Sequence, residues 1–330
     1  MIESQKFTPD PNLKIMDQVI QVLRYHHYSY STEKTYRDWI IRFFKYFNFK
    51  IHPKDMSKKE IEEYLTYLAV NKHVSAATQK QATSAILFLF REVLKVEIDN
   101  IEHIRSKKRN PLPVVMSQEE VILLISQLRG TNQILAKLLY GSGLRLMEAI
   151  RLRVKDIDFD NNQILIYDGK RNKSRITVFP KSIQNDIKNQ LQKVIGLHKR
   201  DIYDGLGTVW LPDALERKYP NASKEIQWQF VFPSNRISVD PRTGIKRRHH
   251  IMETSLQRSI KSALRSSKIL KRVSCHTFRH CFATHLLENG ANIRQVQKLM
   301  GHSDIKTTEI YLHVMETKID VKSPLDSLVC

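Results

Sequence analysis

Residues 274–314 read SCHTFRHCFATHLLENGANIRQVQKLMGHSDIKTTEIYLHV, and this stretch determines how the rest of the chain is interpreted. Its apolar residues recur at helical spacing, and Gly290 and Gly301 follow two of the apolar runs, at positions where helices commonly end. We therefore predict three short helices that fold back on one another. The fold would bring together four polar side chains: His276, Arg279, His302 and Tyr311.

These four side chains suit the transfer of a phosphodiester onto a tyrosine. A planar guanidinium matches two phosphate oxygens at once, and preorganised cations stabilise the charge that develops on the phosphoryl group. A tyrosine hydroxyl can act as the nucleophile and form a covalent intermediate. A single histidine or tyrosine on a helix usually serves packing, so the prediction depends on the combination.

HTFRH, the later GH dipeptide and a tyrosine one short helix further on resemble the signature of the tyrosine recombinases. That resemblance implies an upstream arginine, Arg145 in GSGLRLMEAIRL, and a lysine, Lys170, in the turn DGKRNKSR. Family hairpins often have a glycine after this lysine, whereas this chain has Arg171, so Lys173 remains an alternative. The implied catalytic set, with Tyr311 as the nucleophile, is Arg145, Lys170, His276, Arg279, His302 and Tyr311.

The chain has 330 residues, enough for two domains, and its patterns predict a mainly α fold with a small antiparallel β-sheet. Serines that precede amphipathic runs predict helix starts at Ser31, Ser57 and Ser117. Residues 162–179 predict a β-hairpin whose turn covers residues 169–174. The resemblance implies an N-terminal helical, SAM-like core-binding domain at residues 1–105, a linker at 106–115 and a catalytic domain at 116–330.

Arg145 lies among apolar residues, where a guanidinium needs an anionic partner. Glu148 follows three positions later, so we expect it to orient Arg145. The alternative is a purely structural ion pair between the two residues.

Charge indicates the partner. The chain has 54 Lys and Arg against 34 Asp and Glu, a formal net charge of +20, which favours nucleic acid. No apolar run is long enough to span a membrane, and the N-terminal residues do not form a signal peptide, so we expect a cytoplasmic protein with no membrane partner. Three cysteines without a paired pattern fit a reducing compartment.

No cofactor or metal is expected. A metallohydrolase could use His276, His280 and His285, but no acidic residue accompanies them in a ligand pattern, and the neighbouring Arg279 would repel a cation.

Residues 203–233 form a segment that a minimal recombinase would not need. Its LERKYPNA and WQFVFPS runs, with RRHH at residues 247–250, resemble the additional domain of the integron integrases. In that family the insertion handles bases that protrude from a folded single-stranded hairpin, and aromatic rings suit this because every base has a face for stacking. The resemblance implies base contacts by Trp228, Pro241, His249 and His250. For Trp210 we instead expect a place in a small aromatic core beneath the loop.

The sequence thus predicts a site-specific DNA recombinase that integrates and excises gene cassettes on duplex and folded single-stranded sites, and that forms a homotetramer on DNA. One alternative is a Xer- or phage-type recombinase that acts on duplex sites only. A type IB topoisomerase shares the chemistry, and a DNA-binding regulator would explain the charge but neither Arg145 nor Tyr311.

Overall fold

The computed structural model of the chain describes residues 7–106, 113–168 and 173–316. The chain divides into two compact units, Met1–Pro111 and Leu112–Cys330. Most described residues are helical, and the strands form two small antiparallel sheets, so the predicted fold class is confirmed. The helices of the described residues are too short or too polar to cross a membrane.

The N-terminal unit is a bundle of four helices, the last of which continues into a π-helical turn at Leu89–Val93. Ser57 and Glu60 form the predicted capping box. The predicted start at Ser31 is wrong, because the Ser29 side chain accepts the N–H of Thr32 and the helix begins two residues earlier. Aromatic and aliphatic side chains fill the core, among them the fully buried Phe43. The helices are α1 (Ile15–Tyr25), α2 (Tyr30–Tyr46), α3 (Lys58–Val70) and α4 (Ala76–Phe88).

The second unit is built on helices that pack around one large apolar core. Ser117 and Glu120 form the predicted capping box at its first helix. Its helices are α5 (Gln118–Ser126), α6 (Gly130–Gly141), α7 (Leu146–Ile150), α8 (Gln184–Tyr203), α9 (Asp213–Lys218), α10 (Glu253–Ser266), α11 (Cys275–Glu288), α12 (Ile293–Met300) and α13 (Lys306–Glu316). The last three are the predicted trio; they pack against one another and share an apolar cluster that includes Tyr311.

A three-stranded antiparallel sheet runs in the order β1 (Ile157–Asp158), β2 (Gln163–Asp168), β3 (Lys173–Val178). The turn between β2 and β3 is shorter than predicted, because Lys173 pairs with Asp168 and Ser174 with Tyr167 as strand residues. On β3 two polar side chains, Arg175 and Thr177, point inward: Thr177 is buried and donates to the carbonyl of Ser142, while Ile176 is exposed. This sheet thus turns polar groups toward the elements that carry the candidate site.

The connection between α8 and β4 contains α9 and two short 3-10 turns, Ala222–Lys224 and Ile226–Trp228. It has a small core of its own, which comprises Val209, Leu211, Ala222 and Phe230. Trp210 is not part of this core: its side chain is 39% exposed, which corrects the prediction for that residue. A two-stranded hairpin, β4 (Pro233–Val239) and β5 (Lys246–His250), follows.

Candidate active site

Arg145 stands at the start of α7, directly after a tight turn. Gly143 in that turn has φ +62°, and a Cβ there would overlap the ring of Phe282, so only glycine fits. Both the backbone N–H and the Nη1 of Arg145 donate to Glu148, each over 2.8 Å, as predicted. The Arg145 side chain remains 41% exposed, so its guanidinium is open to a ligand.

Arg279, on α11, is buried behind Arg145. Its guanidinium donates to the backbone carbonyls of Gly143 and Met300, and to Nε2 of His302 over 3.3 Å. Burial, with the charge of Arg145 as a second cause, lowers the pKa of Arg279 to about 9. The group is still a cation at neutral pH, so the site concentrates positive charge without a full set of counter-charges.

His302 follows Gly301, which ends α12 in the left-handed conformation with φ +63°. Because Nε2 accepts from Arg279, the proton of the neutral ring is on Nδ1, which donates to Thr308 over 3.0 Å. Burial first, then the charges of Arg279 and Arg145, lower the pKa of His302 to about 4. An incoming phosphate would reverse the charge effect and favour the imidazolium.

Tyr311, on α13, is almost completely buried, with 3% of its surface exposed. Its hydroxyl shares a hydrogen bond of 3.0 Å with Nδ1 of His280, and its ring stacks against that of His302. Burial raises the pKa of Tyr311 even though Arg279 and Arg145 act in the opposite direction. Burial and the nearby His276 lower the pKa of His280 to about 4, so the pair consists of a neutral phenol and a neutral imidazole.

His276 differs from this group in exposure, although it is near enough to His280 to lower the pKa of that residue. Its side chain is exposed at the beginning of α11, and it has no hydrogen bond among the residues that the structure describes. His276 and Arg279 are three positions apart on α11, yet Arg279 is buried and His276 is exposed. Lys170 lies outside the described residues, and Lys173 is described only as a backbone position in β3.

Glu148 has a second basic partner, Arg175, which the sequence did not indicate. Arg175, on β3, donates Nη1 and Nη2 to its two carboxylate oxygens over 2.8 and 2.5 Å. Although burial alone would raise the pKa of Glu148, the hydrogen bonds and charge of Arg175, followed by those of Arg145, lower it to about 2. The sequence shows that Arg175 stands beside the predicted hairpin turn, but it does not show which face of the strand this arginine occupies.

Residues 203–233, called the insertion below, are held to the rest of the unit by Arg153. Its guanidinium donates to the backbone carbonyls of Trp210 (2.8 Å) and Trp228 (2.5 Å). Trp228 is partly exposed. The ammonium of Lys155 lies 4.4 Å from the ring centroid of Trp228 and 4.4 Å from that of Tyr167, so it sits between two aromatic faces. Trp228 is thus a partly exposed aromatic residue beside a cation.

Among the described residues, no ring contact joins Trp228 directly to the other implied base-contacting residues. His249 and His250 pack against Phe230, with their own ring centroids 4.0 Å apart. Burial and the adjacent His249 lower the pKa of His250 to about 4, so that ring is neutral at physiological pH. Pro241 lies at the exposed turn of the β4–β5 hairpin.

The histidines of the metallohydrolase alternative do not form a ligand set. His285 is held between the hydroxyl of Tyr140 (2.9 Å) and the carbonyl of Met116 (3.0 Å), away from His276. In residues 7–106, 113–168 and 173–316, no group of three or more His, Cys, Asp or Glu could hold a metal ion.

The sequence profile of the phage integrase family matches residues 114–318, and that of the phage integrase N-terminal SAM-like domain matches residues 15–100. The chain therefore belongs to the phage integrase family, the tyrosine site-specific recombinases. An integrase/recombinase of Escherichia coli is 40% identical over 322 residues, 97% of this chain and 95% of that protein. The tyrosine recombinase XerD of Rhizobium meliloti is 30% identical over 283 residues, 80% and 78% of the two chains.

A lambda integrase dimer bound to a COC' core site has the same fold, with a TM-score of 0.59 and 14% identity. The similarity covers 94% of this chain and 98% of that one.

Proposed function

We propose that this recombinase integrates and excises gene cassettes, and that it acts on folded single-stranded hairpin sites as well as on a duplex integration site. The observation that carries the hairpin proposal is Trp228, whose partly exposed ring lies against Lys155 on an insertion with its own core. An indole stacks on any base, and an ammonium beside it attracts the phosphate backbone. Together they suit a base that protrudes from a helix.

The proposed chemistry begins when a phosphodiester binds at the exposed guanidinium of Arg145. Arg279 and His302 lie next to it, and the arriving charge raises the pKa of His302. Nε2 of His302 then takes a proton from solvent and gives up the hydrogen bond from Arg279, and the imidazolium would join the two arginines on the non-bridging oxygens. These groups neutralise the phosphoryl transition state without a metal ion.

Tyr311 then attacks phosphorus. Its oxygen bonds to phosphorus, the bond from phosphorus to the 5′ oxygen breaks, and the products are a 3′-phosphotyrosine and a free 5′-hydroxyl. Lys170 or His276 supplies or accepts the protons. Because Tyr311 is buried against His280, its hydroxyl must leave that histidine to reach a phosphate bound at Arg145.

Strand exchange needs two sites and two protomers on each, so we also propose a monomer that assembles into a tetramer on DNA. Residues 323–330 lie outside the described residues and contain Leu325, Leu328 and Val329, which could dock on a neighbouring protomer. Deletion of these eight residues should reduce recombination more than binding to a single site. Equal losses in both assays would mean that the segment folds onto its own subunit.

A duplex-only recombinase is the second candidate, and the 30% identity with XerD favours it. A binding and cleavage assay with three labelled DNAs separates the two: a folded hairpin with one protruding base, the same hairpin without it, and the equivalent duplex. We expect the bulged hairpin to bind about 10- to 100-fold more tightly than the bulge-less one, the range for loss of one stacked base. Equal binding of the two hairpins would support the duplex-only enzyme.

A further inference from the structure

We propose that Arg175 is a positioning residue for phosphate binding, given the DNA cleavage proposed above. By pairing with Glu148, Arg175 leaves N–H donors of the Arg145 guanidinium available to the phosphate. Arg175 also holds the end of α12, close before His302 in the chain. Arg175 lies on β3 and has no place in the six-residue set that the family resemblance implies.

Glu148 accepts more hydrogen bonds from the guanidinium of Arg175 than from the guanidinium of Arg145. Arg175 approaches as a planar fork and uses both terminal nitrogens, whereas Arg145 contributes only Nη1 from its guanidinium. The two side chains also differ in exposure, 11% for Arg175 against 41% for Arg145. A carboxylate has about four acceptor sites, of which Arg175 fills two and the backbone N–H of Arg145 fills a third. Because only one site is left for the Arg145 guanidinium, Arg175 prevents Glu148 from drawing Arg145 into the same bidentate arrangement. The remaining donors of Arg145 stay available to a ligand.

Arg175 also contacts the backbone beside His302. Its Nε donates to the carbonyl of Leu299 over 2.9 Å, in the last turn of α12. A Cβ on Gly301 would lie 2.6 Å from Cδ of Arg175, so the arginine stem occupies the space that glycine leaves open. One side chain therefore links β3, the carboxylate of α7 and the end of α12, and it determines where two phosphate-binding groups lie relative to each other.

Arg175 should affect the rate of cleavage because it sets the positions of groups that bind the phosphate. Displacement of a catalytic group by about 1 Å costs roughly 100-fold in rate. A lysine at position 175 would keep the charge but would lose the fork and the Nε bond, because an ammonium is a single point donor. Arg175→Lys should therefore slow single-turnover cleavage about 10- to 100-fold while DNA affinity changes less than about threefold.

The decisive readout is rescue, which a merely structural arginine would not produce. In Arg175→Ala the carboxylate of Glu148 is released to pair with both terminal nitrogens of Arg145. Addition of Glu148→Gln removes that charge, so Arg175→Ala with Glu148→Gln should cleave faster than Arg175→Ala alone. If Arg175 only supported the fold, the second substitution would remove another buried interaction and slow the enzyme further.

The experiment measures phosphotyrosine adduct formation and DNA binding for the full-length chain and each variant, with circular dichroism to verify folding. Arg129→Lys, at an exposed position at the start of α6, is the matched control and should behave as the unmodified protein. If Arg175→Ala does not fold, Arg175→Gln with Glu148→Gln replaces it, because two amides retain a neutral hydrogen-bonded pair; the pair should cleave faster than Arg175→Gln alone.

Two outcomes are distinguishable. Absence of any adduct from the unmodified protein would overturn the proposed cleavage chemistry itself. An adduct from the unmodified protein, with Arg175→Lys equally fast or with no rescue by Glu148→Gln, would overturn only the role of Arg175.

Discussion

The candidate catalytic centre and the insertion, residues 203–233, differ in how they hold the side chains to which we assign a function. In the centre, Arg145, Arg279 and Glu148 are joined by contacts between charged groups, and Tyr311 is buried beside them. In the insertion, Trp228 lies against Lys155, while Pro241 occupies the exposed turn of the β4–β5 hairpin that follows it. The first region is a network of charged groups, whereas in the second Trp228 packs on a small apolar core and Pro241 is exposed at a hairpin turn.

This difference matches the roles proposed for the two regions, chemistry in the first and recognition in the second. A network of buried charges responds as a whole when one member changes, since each group sets the protonation and direction of the next. Separate surface contacts contribute independently and can be removed one at a time with little effect on the fold. We therefore expect large, coupled effects in the centre and smaller, local effects in the insertion.

The largest expected effect is that of Tyr311→Phe. It removes the proposed nucleophilic oxygen and its hydrogen bond to His280, and leaves an aromatic ring in the same apolar cluster. The covalent adduct should be lost entirely, because phenylalanine has no atom that can attack phosphorus. Denaturing gels of labelled DNA measure the adduct, and filter retention of the same DNA should be unchanged. A gel-stable adduct from this variant would assign the nucleophile elsewhere.

The second prediction concerns pH and the stability of the connected network. A carboxyl whose pKa falls from 4.5 to about 2 stabilises the folded unit by about 3 kcal/mol above its unfolded pKa. This contribution is present at neutral pH and is lost as the pH falls from about 4.5 towards 2. Urea unfolding at about pH 6 and at about pH 3 measures the free energy of unfolding. Its decrease between these pH values should be smaller for Glu148→Gln than for the unmodified protein. Trp228→Ala, in the other region, should keep the full pH dependence.

Much of the helical framework could be predicted from the sequence because its signals are local. The capping boxes at Ser57 and Ser117 each place a hydroxyl and a carboxyl three residues apart. The trio of C-terminal helices was marked by Gly301, whose left-handed conformation ends α12. The start of α2 was misplaced because Ser29 and Ser31 are both acceptable caps, and the choice depends on packing.

The candidate site was less predictable because it depends on which way side chains face. Hydrophobic alternation alone would turn Ile176 inward on β3, whereas the structure exposes Ile176 and turns Arg175 and Thr177 inward. The inward polar groups are stabilised by Glu148 and by the carbonyl of Ser142, which come from residues distant in sequence. A single strand pattern contains no information about these partners.

The third prediction tests whether Trp228 alone carries recognition in the insertion. Trp228→Ala should weaken binding of the bulged hairpin about 10- to 100-fold and spare nonspecific duplex binding, because duplex binding depends on phosphate contacts. Removal of the protruding base should have a similar effect. The two losses should not add, since both delete the same contact. Gel-shift titrations of both proteins on both hairpins measure the affinities. Fully additive losses would mean that the protruding base binds away from Trp228.

The smallest expected effect is that of Pro241→Ala, and it distinguishes a dispersed surface from a single recognition pocket. The hairpin turn is maintained by Asp240, whose carboxylate accepts the backbone N–H groups of Arg242 and Thr243 over 2.9 and 3.2 Å. Alanine at position 241 should therefore leave the turn formed and remove only the exposed proline ring. Hairpin affinity should fall less than about threefold, because an exposed substitution that breaks no buried contact costs about 0.5 kcal/mol or less. A loss as large as that of Trp228→Ala, measured on the same bulged hairpin, would mean that the turn closes over the protruding base and that the turn and the insertion act together.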